Sequence, residues 1–242
     1  MIKTKFGSIV SHKFNNQYIC YDSSIQPILK DRILASLESD EFRLSNSSNF
    51  LDFNNGLIKK HFWRKGLVSI FNDNYLYYRL RNTRPVRELM NYIDFAFIIN
   101  NEKNKTATKY IELCTPIFSY IKKNIIFYKG DIILSKMSGD TLDKYILNKD
   151  YSHSVESKLA SCFNLLFQNG IYNFDMNLKN IIFNKETCKF SFIDFDKILI
   201  NTSIKSNDKY ASLVVSKFEK SLRKHGLNYS FDWKTFIDSL KY

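Results

Sequence analysis

The chain has 242 residues, 44% hydrophobic and 16% aromatic, with 36 Lys and Arg against 24 Asp and Glu, a net charge of +12. This excludes a disordered chain, and seven Gly and three Pro exclude collagen-like and linker-rich designs; the length suits one two-lobed domain or two small ones with a buried core. The positive balance calls for an anionic partner: nucleic acid, an anionic membrane surface or a phosphorylated small molecule.

Residues 1–20 mix Lys, His, Ser and Asn with few apolar residues, unlike a signal peptide or an anchor. No stretch approaches the roughly 18 uninterrupted apolar residues of a membrane span. The expectation is a soluble protein, or one bound at a membrane surface. The first fifty residues are weakly patterned, with a candidate helix over 26–37 and a polar loop over 38–49. Asn54-Asn55-Gly56 signals a turn, and residues 57–63 read as a strand with charges on both faces. Residues 84–99 carry helical spacing, with Pro85 in the first turn. Residues 125–128 and 131–134 read as a hairpin turning at Lys129-Gly130.

After about Ser138 the period changes. Val155, Leu159, Cys162, Phe163, Leu166 and Phe167 recur at helical spacing, and Gly170 lies where that helix would stop. Residues 181–183 and 189–193 predict a second hairpin. Residues 208–225 predict another helix, with Tyr210, Leu213, Val214 and Phe218 on one side and basic residues on the other. The order implies an α+β fold in two lobes, a β-rich one over 1–137 and a mostly helical one over 138–242. The four cysteines, Cys20, Cys114, Cys162 and Cys188, are far apart and form no CxxC pair; buried thiols in a reduced cytoplasmic compartment are the plain reading.

The most informative segment is Gly170 to Phe183. It leaves a predicted helix, presents Asp175 and then Asn180 five positions on, and enters a hairpin that ends in Ile193-Asp194-Phe195-Asp196-Lys197. Phosphoryl transfer from ATP needs a carboxylate to orient the acceptor hydroxyl and take its proton. It also needs an amide oxygen and a second carboxylate to hold Mg²⁺ on the phosphates. D-x-x-x-x-N, a hairpin and then D-F-x match the catalytic loop and metal-binding turn of protein-kinase-like enzymes. The bland alternative is a polar turn before a buried strand. Upstream, such a site needs a strand lysine for the phosphates and a helix glutamate to hold it. Lys60 and Glu88 fit that order, with Lys59 competing, since neighbouring strand residues face opposite sides.

These blocks resemble the 3-deoxy-D-manno-octulosonic acid (Kdo) kinases of lipopolysaccharide core synthesis, from about Gly56 to the C-terminus. Lys60-His61-Phe62-Trp63-Arg64-Lys65-Gly66-Leu67 is similar to that family's Arg-His-Tyr-x-Arg-Gly-Gly-Leu block. Asn72-Asp73-Asn74-Tyr75, Thr83-Arg84-Pro85-Val86-Arg87-Glu88 and Cys114-Thr115-Pro116-Ile117 resemble its next blocks. Asp175-Met176-Asn177-Leu178-Lys179-Asn180-Ile181 and Asp194-Phe195-Asp196-Lys197 resemble its Asp-Leu-Asn-x-x-Asn-Ile and Asp-Phe-Asp-Lys motifs, and the tail from Lys217 to Trp233 its end region.

The resemblance implies a kinase-like fold, ATP, Mg²⁺, and γ-phosphate transfer to a hydroxyl of Kdo on a lipid A precursor. It would make Asp175 the catalytic base, Lys60 the nucleotide lysine with Glu88 its partner, and Asn180 and Asp194 the metal ligands. Asn177 and Asp196 are matched positions without an assigned role. Lys60 replaces the family's Arg, a change toward the general kinase pattern, and two further features depart from the family. Asn173 stands where the family has His, and residues 38–53 contain no glycine for a phosphate loop; Ser45, Asn46, Ser47 and Ser48 are conjectural substitutes. Two alternatives stay open: another small-molecule or sugar kinase of the same fold, and, motivated by these two departures, a catalytically weak kinase-like binding protein.

A glycolipid acceptor implies peripheral contact with the cytoplasmic face of a Gram-negative inner membrane. Lys59, Arg64, Lys65, Arg79, Arg81, Arg84 and Arg87, with Phe62, Trp63 and Leu67 among them, are the residues expected to face the bilayer, a solvated basic face being the alternative. No RNP-like, KH or zinc pattern supports nucleic acid as the partner.

Overall fold

The computed structural model describes residues 1–24, 50–53, 56–63, 73–101, 108–148 and 154–241, with the side chains of 50–53 excepted. The candidate helix over 26–37, the loop with Ser45–Ser48, and Asn54, Asn55, Arg64, Lys65, Leu67 and Asn72 lie outside them. The chain divides into two compact units: Met1–Asp94 with Thr115–Lys136, and Phe95–Cys114 with Met137–Tyr242. Phe95–Cys114, which the sequence groups with the first lobe, thus belongs to the second unit by its contacts. Phe95 packs on Phe195 at 4.8 Å, and Ile111 bridges to Phe190.

The first unit is an antiparallel sheet with one long helix. Its strands are β1 (Ile2–Lys3), β2 (Ser8–Phe14), β3 (Gln17–Asp22), β4 (Phe50–Phe53), β5 (Leu57–His61), β6 (Tyr75–Leu76), β7 (Pro116–Asn124) and β8 (Phe127–Ser135). They run in the order β1-β2-β3-β7-β8-β5-β4, with β6 paired to β8. Helix α1 (Arg84–Asn101) buries Val86, Leu89, Tyr92 and Ile93, spaced as a core-facing stripe requires. Buried Asp94 accepts backbone N–H bonds from Lys5 (3.2 Å) and Phe6 (3.0 Å), tying the N-terminal segment to the helix.

Two findings differ from the sequence expectation. The β2–β3 hairpin lies in the stretch that read as weakly patterned. Its buried residues are Ile9 on β2 and the consecutive Ile19, Cys20 and Tyr21 on β3, while β2 also carries Ser, His and Lys, so no alternation shows in the sequence. The β7–β8 hairpin turns at Ile125-Ile126 and not at Lys129-Gly130, because Asn124 pairs with Phe127 and the ladder continues through Lys122↔Lys129. Gly130 sits inside β8 for a different reason. A Cβ there would lie 2.6 Å from Pro85 Cγ and 2.9 Å from the Tyr120 carbonyl oxygen, so only glycine admits the start of α1.

The second unit contains β9 (Asp140–Thr141), α2 (Leu142–Leu147), α3 (Ser154–Gln168), β10 (Ile171–Asn173), β11 (Ile181–Asn184), β12 (Lys189–Phe192), β13 (Ile198–Ile200), α4 (Asp208–Lys224) and α5 (Trp233–Asp238). Phe163 on α3 is the centre of its core, with Phe167, Phe192, Phe218 and Phe236 at ring distances of 5.3–6.3 Å. Buried Glu156 accepts the backbone N–H of Asp232, joining α3 to the entry of α5. The architecture is α+β: a β-rich first unit with one long helix, then a largely helical unit with small sheets. Among the described residues no helix is long and apolar enough to cross a membrane.

Candidate active site

In the first unit, β5 carries Lys59 and Lys60 side by side, and both are buried. Lys60 meets α1. Its Nζ donates to Glu88 Oε1 at 2.9 Å and to Oε2 at 2.7 Å, with Glu88 fully buried one turn into the helix. The ammonium also lies 5.1 Å from the centre of the Phe62 ring. A buried ion pair of this kind is weakly stabilising as a pair, yet breaking one partner is strongly destabilising. Lys59, on the opposite face, belongs to another cluster. Burial pushes the Asp131 carboxyl up from its ordinary value, opposed by its hydrogen bond with His61 and by the charges of His61 and Lys59. Phe62, expected at a membrane, is instead buried, and the Arg84 guanidinium stacks 5.1 Å from its ring.

In the second unit, α3 ends at Gln168, and Gly170, with a φ of +68°, turns the chain into β10. A side chain there would collide with the Asn201 carbonyl. Strand β10 pairs with β13, which aligns the loop after Asn173 with the turn that carries Asp194. Asn173 is the tie between them. Its Oδ1 accepts the backbone N–H of Asp175 at 3.0 Å, and its Nδ2 donates to the Asp194 carbonyl at 3.3 Å. The residue that departs from the family's His therefore holds the two motifs together through its amide.

Two further asparagines fix the loop. Asn177 Nδ2 and Asn180 Nδ2 both donate to the Asp175 carbonyl oxygen, at 2.9 and 3.0 Å. Ile193 N–H donates to the Asn180 carbonyl, bringing the hairpin's end alongside the loop. With its NH₂ committed to the Asp175 carbonyl, the amide oxygen is the end of Asn180 that could take a cation. Asp194 has φ +63° and ψ +72°, a left-handed conformation that Asp tolerates better than most residues. It is stabilised by the neighbouring anchors: Phe195 is buried against Phe95, and Asn173 grips the Asp194 carbonyl.

The Asp175 carboxylate itself is partly exposed and faces two ammonium groups. Lys217 Nζ on α4 lies 3.2 Å from Oδ1, and Lys197 Nζ lies 3.7 Å from Oδ2. Helix α4 also supplies Ser221 Oγ, which accepts the Leu178 N–H at 3.1 Å. Sequence reasoning did not single out Lys197, Lys217 or Ser221. Lys197 ends the Asp-Phe-Asp-Lys motif and could have been flagged. Lys217 and Ser221 are some forty residues away along the chain and carry no local signal. Among the sequence candidates, Lys60 and Glu88 are thus in contact in the first unit, and Asp175, Asn180 and Asp194 are linked by asparagine amides in the second.

Comparison with known proteins matches this chain over residues 35–238 to the lipopolysaccharide kinase (Kdo/WaaP) family. The chain belongs to that family. A curated relative, the 3-deoxy-D-manno-octulosonic acid kinase of Vibrio cholerae serotype O1, is 22% identical over 185 residues, covering 76% of this chain and 74% of the relative. Two solved structures also match. The bifunctional kinase-methyltransferase WbdD aligns with 62% of this chain at 16% identity and a TM-score of 0.39. Monomeric WbdD aligns with 77% at 13% identity and a TM-score of 0.42. The kinase described here spans 30% and 38% of those two chains. Family membership makes it a phosphotransferase with an alcohol group as acceptor.

Proposed function

We propose that this kinase uses ATP and Mg²⁺ to phosphorylate a hydroxyl of Kdo on a lipid A precursor, in lipopolysaccharide inner-core biosynthesis. The observation that carries the reading is the asparagine network that fixes Asp175, Asn180 and Asp194 in one loop-and-turn unit. Kdo kinase motifs in the sequence and the curated Kdo kinase relative support the acceptor.

In this reading Asp175 is the base. It orients the acceptor hydroxyl and takes its proton as the oxygen bonds to the γ-phosphorus; the bond to the β-phosphate oxygen breaks, and ADP leaves. The Asp175 backbone is held by three asparagine side chains, so the loop needs little reorganisation to present the carboxylate. Lys217 and Lys197 are the cations beside this base, where they offset the negative charge of the transferring phosphoryl group. Lys60, fixed by Glu88, is the lysine for the nucleotide phosphates.

The Asn180 amide oxygen and the Asp194 carboxylate are hard oxygen donors and fit Mg²⁺. That ion keeps several waters and takes its remaining ligands from phosphates. An ion held by Asn180 and Asp194 would supply positive charge against the negative charge of the nucleotide phosphates.

The reading also includes a peripheral location at the cytoplasmic face of a Gram-negative inner membrane, where such a glycolipid would be met. The net charge of +12 supports it. The test is an assay of purified protein with ATP, Mg²⁺ and a Kdo-bearing lipid A precursor, beside a panel of soluble sugars. Phosphate incorporated into the glycolipid is the expected result. Preference for a soluble alcohol would reassign the acceptor, and nucleotide binding without turnover by folded protein would sink the catalytic reading.

A further inference from the structure

The β2–β3 and β7–β8 hairpins and the segment after β6 end side by side at one edge of the first unit's sheet. Gln17 pairs with Lys122, and the Lys123 N–H donates to the Asn16 carbonyl at 2.8 Å. The Tyr77 N–H donates to the Ile126 carbonyl at 2.7 Å, and the Tyr18 and Tyr77 rings stack at 6.3 Å. Ten large hydrophobic side chains are exposed among the described residues. Five of them crowd these tips: Phe14 (58%), Leu76 (68%), Tyr78 (75%), Ile125 (83%) and Ile126 (57%). The same segments, residues 13–18, 74–82 and 120–127, hold Lys13, Arg79, Arg81, Lys122 and Lys123 and no Asp or Glu. Lys123 and Arg79 lie 4.6 and 5.2 Å from the Tyr77 and Tyr78 rings.

The two hairpin turns differ in a way that folding does not explain. Both are two-residue loops whose first residue has positive φ, +52° at Asn15 and +49° at Ile125. Asn suits that conformation, whereas a β-branched residue is an outlier there. Ile125 is nearly fully exposed, so it gains no burial in return. The strain and the exposure both become favourable if Ile125 is buried by something else.

We propose that these hairpin tips are the surface by which the kinase docks on a bilayer containing anionic lipid, with Ile125, Ile126, Leu76, Tyr78 and Phe14 entering the interface and the five basic residues meeting the headgroups. Apolar residues interleaved with cations, free of carboxylates, are the chemistry of an anionic lipid–water interface. Charge complementarity commits the patch to that occupant. The inference rests on the peripheral location proposed above and is independent of the roles given to Asp175 and Lys60. It keeps Arg79 and Arg81 from the basic cluster expected around Arg64 and Arg84, and it takes its apolar contacts from the hairpin tips rather than from the buried Phe62.

The experiment is sedimentation of the full chain with vesicles of phosphatidylethanolamine plus phosphatidylglycerol, beside vesicles of phosphatidylcholine. Binding to the anionic vesicles, weakened by salt and weaker on phosphatidylcholine, is expected. Ile125→Asp/Ile126→Asp should reduce binding by about tenfold or more while leaving turnover on detergent-dispersed acceptor unchanged. Asp fits a positive φ better than Ile, so the variant should fold at least as well, which circular dichroism checks. Lys122→Gln/Lys123→Gln should reduce the anionic preference alone. Absence of wild-type binding to anionic vesicles, equal binding to phosphatidylcholine, or undiminished binding of the isoleucine variant would each overturn the proposal. So would loss of a wild-type dimer in the isoleucine variant, which would make the occupant a second copy. None of these outcomes bears on turnover, so the docking surface and the kinase assignment fail separately.

Discussion

The two compact units fix their functional side chains by opposite means. In the first, a charge holds a charge: Lys60 and Glu88 are both buried, and each is the other's compensation. In the second, neutral amides hold the backbone, and the charged groups stand at the surface, with Asp175 between two exposed lysines. Removing a charge should therefore unfold one site and merely silence the other. The contrast is the one expected if, as proposed, Lys60 must sit at a fixed point and Asp175 must exchange protons.

The largest effect should come from Asp175→Ala. Loss of the proposed base should lower turnover by roughly 10²- to 10⁴-fold. The melting temperature should barely change, because the loop is held through the Asp175 main chain and exposed ion pairs contribute little. Turnover near the wild-type value would refute the assignment of the base, and a large fall in melting temperature would refute the contrast between the units. Glu88→Ala should do the reverse in proportion. It removes the carboxylate that meets the buried Lys60 ammonium, at a cost of about 3–5 kcal/mol in chemical denaturation. A Lys60→Met/Glu88→Leu double variant should recover most of that stability and none of the turnover. If the double variant were as unstable as the single, the pair would be a packing element and the electrostatic account would fail.

Asn173→Ala should give an intermediate result. It removes an acceptor for the Asp175 N–H and a donor to the Asp194 carbonyl, both at a buried position. A loss of about 1–3 kcal/mol in stability is expected, with a reduced turnover and an increased Mg²⁺ requirement, since the turn bearing Asp194 loses its tie to the loop. Asn173→His should restore part of the turnover. Unchanged Mg²⁺ dependence in Asn173→Ala would show that the turn is positioned without it.

What was legible in the sequence follows the same division. The Asp175–Asn180 loop, its hairpin and the Asp194 turn are local in sequence, so spacing alone suggested their association. Lys60 and Glu88 could be proposed only by order along the chain, and the alternative Lys59 was excluded as Glu88's partner by the strand's alternation once the register was seen. Asn173 read as a defect because its value lies in hydrogen bonds to residues two and twenty-one positions away. Lys217 was hidden because a helix from the end of the chain carries it. The N-terminal hairpin was illegible because β2 buries Ile9 alone and the buried residues of β3, Ile19 to Tyr21, are consecutive and show no alternation.

Gly130 is the clearest case of a correct residue read for the wrong reason, and it yields the smallest expected effect. Lys129-Gly130 has the composition of a turn, but the turn was already made at Ile125-Ile126, by residues no propensity would choose. The glycine serves instead where β8 passes under Pro85. Gly130→Ala should cost about 1–3 kcal/mol, because a proline ring and a main-chain carbonyl are poor at yielding. Pro85 lies three residues before Glu88, so the relief available to the chain is a shift of the start of α1, which carries Glu88 with it. Denaturation should therefore show a modest loss, and KM for ATP should rise while kcat changes less. If Gly130→Ala destabilised the fold and left KM for ATP untouched, the start of α1 would be uncoupled from the Lys60–Glu88 pair, and the first unit's site would depend on that pair alone.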